Sequence, residues 1–194
     1  MWLSEVTLEG KEVHLVPLRK NHREGLLKAA SDGDLSKLWY TSVPSEETID
    51  AYFQYAFNEQ NEGHALPFTI IDKKTNTIIG STRFCNVTST HKRVEIGYTW
   101  YAKSFQRTAK NTETKLLLLS YAFETLQCIA VEFRTHHENK ASQNAITRLG
   151  AQQDGILRQH QQLQDGSYRD TVVYSILNNE WNTVKQQLEI RLNH

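Results

Sequence analysis

Between positions 103 and 115 the chain reads Lys-Ser-Phe-Gln-Arg-Thr-Ala-Lys-Asn-Thr-Glu-Thr-Lys, setting Lys103, Arg107, Lys110 and Lys115 against the single acid Glu113. The stretch carries a local charge of about +3 in a chain that is otherwise balanced, with 22 Lys+Arg against 22 Asp+Glu. The same segment leads into a helix expected over 111–126, with Asn111 as its N-cap and Leu116, Leu119, Phe123 and Leu126 at helical spacing. A helix N-terminus offers orphan N–H groups and the positive end of a dipole, so this loop suits an anion such as a pyrophosphate. The competing reading is a solvated basic loop, and the window alone leaves both open.

Other chemistries find little support. Zero net charge argues against bulk attraction to nucleic acid or an anionic membrane, so any anion site must be local. Cys85 and Cys128 form no C-x-x-C pair and read as small core residues; His136-His137 lacks the spacing of two helical ligands, and no metal is expected. The sequence contains no Gly-x-Ser-x-Gly elbow, no phosphate loop ending in Gly-Lys-Ser/Thr and no Gly-x-Gly-x-x-Gly fingerprint. The opening Met1-Trp2-Leu3-Ser4-Glu5 does not read as a secretory signal, and the longest aliphatic run, Leu116 to Leu119, is far short of the ~20 residues of a membrane span. A cytoplasmic protein is expected.

The elements that must position the loop follow from hydrophobic period. The length of 194 residues favours one domain over 1–194. Strands are expected at 11–18, 66–71, 77–84, 94–100 and 131–135, and a last hairpin pairs 155–163 with 171–177. Helices are expected at 21–30, from Ser45 as N-cap through Ile49, Tyr52, Phe53 and Ala56, at 139–149 ending on Gly150, and at 178–192. A crossover as long as the 111–126 helix makes its flanking strands parallel. The fold class is α+β, a mixed central β-sheet flanked by helices.

Val13-His14-Leu15, Ile79-Gly80, Val94-Glu95-Ile96-Gly97-Tyr98, Gln106-Arg107 and Asn139-Lys-Ala-Ser142 leading to Leu149-Gly150 occur in an order that resembles the GNAT acyltransferases, particularly the branch acetylating ribosomal-protein N-termini. The resemblance implies the acyl-CoA N-acyltransferase fold and acetyl-CoA as co-substrate. It places pantetheine between the Val94 and Val131 strands, against backbone around Thr99 and Trp100. A backbone N–H near Ile96 to Tyr98 would polarise the thioester. The diphosphate falls to the loop of Gln106, Arg107, Thr108, Ala109, Lys110, Asn111 and Thr112, and Asn139 and Ser142 join the cofactor-binding residues. The family loop reads Gln/Arg-x-x-Gly-x-Gly/Ala, so both glycines are replaced here, by Ala109 and Asn111. Their loss argues for altered CoA binding; the hydroxyls of Thr108 and Thr112 and the charges of Arg107 and Lys110 offer contacts in exchange.

Transfer to an amine needs a base for the ammonium and an acid for the departing thiolate. By resemblance Ser142 serves the thiolate, because the Tyr many relatives use is Ile146 here; its alternative is helix capping beside Asn139. Glu95 is the candidate base, against a strand carboxylate facing solvent or paired with Arg93. The hairpin carboxylate of close relatives is replaced by Gln161, which brings His160 forward as a second base or an ordinary surface histidine. Trp39, Tyr40, Tyr52, Phe53 and Tyr55 fall in the region that forms one wall of the acceptor groove in relatives. At pH 7 an α-amine is free base roughly 350 times more often than a lysine side chain, so a site without a strong base leans to peptide or protein N-termini or small α-amino compounds. The alternative is a CoA-binding or sensing module of the same fold with weak or no transfer. The partners expected are acetyl-CoA and an amine acceptor, with the chain a monomer or homodimer.

Overall fold

The computed structural model describes residues 2–33, 35, 43–163 and 165–193. Strands β1 (Leu8–Glu9), β2 (Val13–Pro17), β3 (Leu66–Asp72), β4 (Thr77–Thr88) and β5 (Arg93–Tyr101) form an antiparallel run. β6 (Ala130–His136) then joins β5 in parallel, and β7 (Gln152–Gln162) and β8 (Tyr168–Leu177) complete the order β1-β2-β3-β4-β5-β6-β8-β7. Helices α1 (Arg23–Ser31) and α2 (Ile49–Asn61) precede β3. Helix α3 (Ala109–Ser120) makes the crossover between the parallel strands, α4 (Lys140–Leu149) follows β6, and α5 (Trp181–Leu192) follows β8.

Period-two alternation splits the core across this sheet. Phe68, Phe84, Ile96 and Phe133 face a cluster with Leu118, Leu119, Ile146 and Leu188 from α3, α4 and α5. On the opposite face Trp100 packs with Leu26, Ile49, Phe53 and Ala56 from α1 and α2. Close approach of β4 to β5 requires Gly80, where a Cβ would overlap the Trp100 carbonyl oxygen.

Local chemistry moved several boundaries. Ser45 is not the N-cap of α2: its backbone N–H donates to Thr48 Oγ1 and its carbonyl accepts from Thr48 and Ile49, closing a turn, so the helix starts at Ile49. Asn111 is not the N-cap of α3 either. Thr108 takes that place with extended backbone, and α3 runs only to Ser120 before a wide π turn over Tyr121–Thr125. Asn139 does cap α4, accepting from the Ser142 N–H at 3.0 Å, and Gly150 ends that helix at φ 103°. The acid of the basic window, Glu113, is buried on α3. It accepts from the backbone N–H groups of Lys11, Glu12 and Val13 at 2.7–2.8 Å, fastening the β1–β2 turn to the crossover helix.

Candidate active site

β5 and β6 pair only at Arg93↔Ala130, Val94↔Val131 and Glu95↔Glu132, and diverge from Ile96 onward. On its other side β5 carries a bulge. Register passes from Arg83↔Gly97 to Ser81↔Trp100, so Tyr98 and Thr99 together oppose Thr82, and Tyr98 takes a left-handed backbone at φ 53°. The divergence opens a cleft of about 540 Å³ between α3, α4 and the β7–β8 hairpin, lined by Glu95, Tyr98, Asn111, Ser142, His160 and Lys115 among others.

The expected site residues divide in two. Glu95, Ile96, Tyr98, Thr99, Trp100, Asn111, Asn139, Ser142 and His160 all line the cleft, from five separate elements and loops. The other loop residues do not. Gln106 donates to the Tyr101 carbonyl at 3.1 Å, and Arg107 is exposed with φ 59°. Thr108 turns its hydroxyl to the Phe105 carbonyl at 2.8 Å instead of capping α3, so no side chain closes off the first-turn N–H groups. Ala109 begins the helix, Thr112 lies in its first turn half-buried, and Lys110 is taken by Asp72 at 2.6 Å and Glu12 at 3.1 Å.

Two expectations about this loop are corrected by that geometry. The replaced glycines fall at positions 109 and 111, which are inside α3 with helical backbone; the left-handed residue is Arg107, so Ala109 and Asn111 impose no φ strain. The local +3 is not presented as a unit, because Lys110 is spent on buried Asp72 and Lys115 turns inward. What the helix start contributes to the cleft is Asn111, in the first turn of the uncapped α3, whose buried Oδ1 has no hydrogen-bond partner.

Glu95 is neither solvent-facing nor paired with Arg93, which instead binds Glu132 at 2.8 Å. Register places Glu95 opposite Cys85 on the α1/α2 face. It accepts from Asn86 Nδ2 at 2.6 Å and lies 3.5 Å from Arg134 Nε. Burial raises its pKa above the usual carboxylate value, against the lowering effect of Asn86 and Arg134. His160 is exposed, with Nδ1 3.1 Å from Thr171 Oγ1, and Gln161 lines the cleft beside it. Ile146 is buried against the core.

Sequence reasoning missed Lys115 as a site residue. Its Nζ donates to Thr99 Oγ1 at 2.7 Å and lies 6.0 Å from the Phe133 ring centroid, and no carboxylate is within ion-pair range among the described residues. Desolvation pushes its pKa down to about 7. The available signal was position: Asn111 and Lys115 are one helical stripe at i, i+4, while a lysine inside a leucine-rich crossover helix was read with the surface loop. Of the expected groove wall, Phe53 is buried core, Tyr52 donates to Ser81 Oγ at 2.9 Å, and Tyr55 pairs hydroxyls with Tyr98 at 3.2 Å. Trp39 and Tyr40 lie outside the described residues. Cys85 and Cys128 are free and buried, as expected.

Residues 12–152 match the family model of the acetyltransferase (GNAT) domain. The chain belongs to the GNAT acetyltransferase family. A GCN5-related N-acetyltransferase structure from Brucella melitensis superimposes with a TM-score of 0.88 at 27% identity, covering 99% of this chain and 87% of that one. The uncharacterised N-acetyltransferase p20 of Bacillus licheniformis is 30% identical over 124 residues, 62% of this chain and 66% of p20. YdaF of Bacillus subtilis (strain 168), provisionally named a ribosomal N-acetyltransferase, is 30% identical over 105 residues, 54% of this chain and 56% of YdaF. The matches thus span less than two thirds of either curated relative. No described helix is long and apolar enough to cross a membrane.

Proposed function

We propose that the chain is, as a single domain over 1–194, an acetyl-CoA-dependent N-acetyltransferase. Its acceptor is a primary α-amine, a peptide or protein N-terminus or a small α-amino compound. The observation that carries the reading is the divergence of β5 from β6 at Ile96, which opens the cleft immediately beside the buried carboxylate of Glu95. The residues fit acetyl-CoA: the cleft reaches the uncapped first turn of α3 at Asn111, the orphaned Asn111 Oδ1 is an acceptor for an amide N–H of the pantetheine arm, and Ile96, Phe133 and Leu149 give the interior an apolar wall. When bound, acetyl-CoA supplies the acetyl group as an activated thioester.

The chain's own groups then have separate tasks. Glu95, its carboxyl raised by burial towards neutral pH, accepts the proton of the acceptor ammonium directly or through water. Ser142, in the first turn of α4 and lining the cleft, hydrogen-bonds the departing sulfur and relays to it the second proton lost by the attacking nitrogen, which restores its own hydroxyl. Backbone N–H groups at the bulge, Ile96 to Tyr98, polarise the thioester carbonyl. His160 lines the cleft more openly and stands as a second proton acceptor. The provisional name of YdaF, a ribosomal N-acetyltransferase, supports a ribosomal acceptor as one source of the amine.

Thermal-shift titration with CoA and acetyl-CoA, followed by CoA-release assays on a panel of α-amine peptides and amino acids, tests this. Stabilisation by the nucleotide with turnover of α-amines is expected. Stabilisation without turnover of any amine supports instead a CoA-binding module, and absence of both removes the reading.

A further inference from the structure

The guanidinium of Arg83 on β4 is a buried charge without provision. The residue is 1% exposed, and Nε, Nη1 and Nη2 are each buried with no hydrogen-bond partner. Three tyrosine rings surround it, with centroids 4.0 Å (Tyr98), 5.1 Å (Tyr52) and 5.7 Å (Tyr55) from Cζ. Ring faces attract a cation but leave its five N–H donors without strong acceptors. The three hydroxyls are committed elsewhere, to Ser81 and to one another. The nearby carboxylate of Glu95 is held by Asn86 and Arg134. A guanidinium ringed by aromatic groups and with every nitrogen lacking an acceptor is suited to the planar, two-oxygen geometry of a carboxylate.

Placement gives that carboxylate an owner. Arg83 opposes Gly97, and Glu95 lies two residues earlier on the same face of β5, about 7 Å along the strand. Gly97 leaves the interval open; a Cβ there would meet Glu95 Oε1 at 3.1 Å and Cys85 Sγ at 3.0 Å. The bulge brings Tyr98 to the face carrying Gly97, so Tyr98 both covers Arg83 and lines the cleft, while Tyr55, 47% exposed, closes the outer side. Arg83 itself does not line the cleft; it lies behind the Tyr98 ring that does, so a group a few bonds from an amine held at Glu95 reaches the guanidinium past Tyr98.

We propose that Arg83, in its cage of Tyr52, Tyr55 and Tyr98, recognises a carboxylate on the acceptor, within a few bonds of the amine that is acetylated. The inference rests on Glu95 addressing that amine, as in the function proposed above. Free amino acids and peptides with an acidic first residue share this chemistry, and the Tyr55–Tyr98 hydroxyl pair parts to admit it.

The test compares matched acceptors on the full chain with acetyl-CoA: free aspartate against aspartate α-amide, and peptides beginning Asp-Ala against Asn-Ala. Expected is a preference in kcat/KM of about tenfold or more for the carboxylate in one of the two pairs, the pair identifying the source. R83Q should abolish the preference while leaving CoA-induced thermal stabilisation in place. Equal rates within both pairs would overturn the proposal. Should no amine turn over, calorimetric binding of N-acetyl-aspartate, its β-amide N-acetyl-asparagine and its α-amide decides. Preference for the acid over one of the two amides, lost in R83Q, supports the subsite while the transfer reading fails; equal binding of all three overturns the subsite too. If R83Q does not fold, the wild-type comparisons carry the decision alone.

Discussion

Replacing Lys115 with Met should stabilise the fold, by an amount that depends on pH in a direction the burial dictates. In the unfolded chain this amine titrates near an ordinary ~10.4, whereas in the cleft it titrates at about 7, because desolvation is opposed by one hydroxyl, Thr99 Oγ1, and no carboxylate. A folded pKa below the unfolded one means that the unfolded state binds more protons between those values, so stability rises with pH across that window. At ~1.4 kcal/mol per pH unit the charged form is disfavoured by on the order of 4–5 kcal/mol, fully felt below pH 7 and relieved as pH climbs towards 10. Methionine fills similar volume without charge but forfeits the Thr99 hydrogen bond, worth about 1 kcal/mol. Urea denaturation of wild type and Lys115→Met from pH 6 to pH 10 measures the difference directly, and groups common to both proteins cancel. The gain should be several kcal/mol at pH 6–7 and shrink to near zero or below by pH 10. A gain that is flat with pH, or a variant less stable throughout, would show that Lys115 titrates as an ordinary lysine.

Glu95→Gln should lower kcat by about a hundredfold or more, as expected for loss of a general base, with little change in CoA affinity by calorimetry. Because burial raises the Glu95 pKa, the charged form opposes folding above that pKa, so the same variant should melt higher at pH 8 than wild type in a thermal scan. Lys110→Ala leaves the buried Asp72 carboxylate without its 2.6 Å partner and should cost about 1–3 kcal/mol in urea denaturation; its effect on the Kd for CoA should be smaller than that of a phosphate-binding lysine. Ser142→Ala should reduce kcat in single-turnover assays and keep the α4 cap, because that cap uses the Ser142 backbone N–H and not the hydroxyl.

The fold was legible where period and turn chemistry are local. Alternation in β2 to β6 and the Asn139 and Gly150 signals of α4 placed those elements within a few residues. The parallel β5–β6 pair followed from the length of its crossover. Boundaries failed where a side chain had two choices. Ser45 closes a turn instead of capping α2, and α3 starts two residues before the expected Asn111, at an N-cap Thr108 whose hydroxyl bonds backwards to Phe105 and leaves no local side-chain signal for that start. The site was legible as far as strand position decides it, since Glu95 and Tyr98 are on the diverging strand whatever their contacts. Charge was the poor guide. Sequence adds Lys110 and Lys115 to one loop, whereas a helix turn of about 100° per residue sends one to Asp72 and the other into the cleft.

Arg83, Glu95 and Lys115 are all at least nine-tenths buried, Glu95 and Lys115 lining the cleft and Arg83 opposite β5 behind Tyr98, in a chain whose other charges mostly remain at the surface. Each is costly to a fold that needs only stability, since an ion withdrawn from water is favoured only when it is well paired. Arg83 and Glu95 occupy the α1/α2 face and Lys115 the α3 face, and the bulge at Tyr98 is where the two faces come closest to exchanging contents. If that cost were merely structural, the double variant Arg83→Met, Lys115→Met would be expected to gain stability and lose nothing in ligand response. If it serves ligands on both faces, the double variant should gain stability while losing discrimination among acceptors, a dissociation of two readouts that packing alone does not produce.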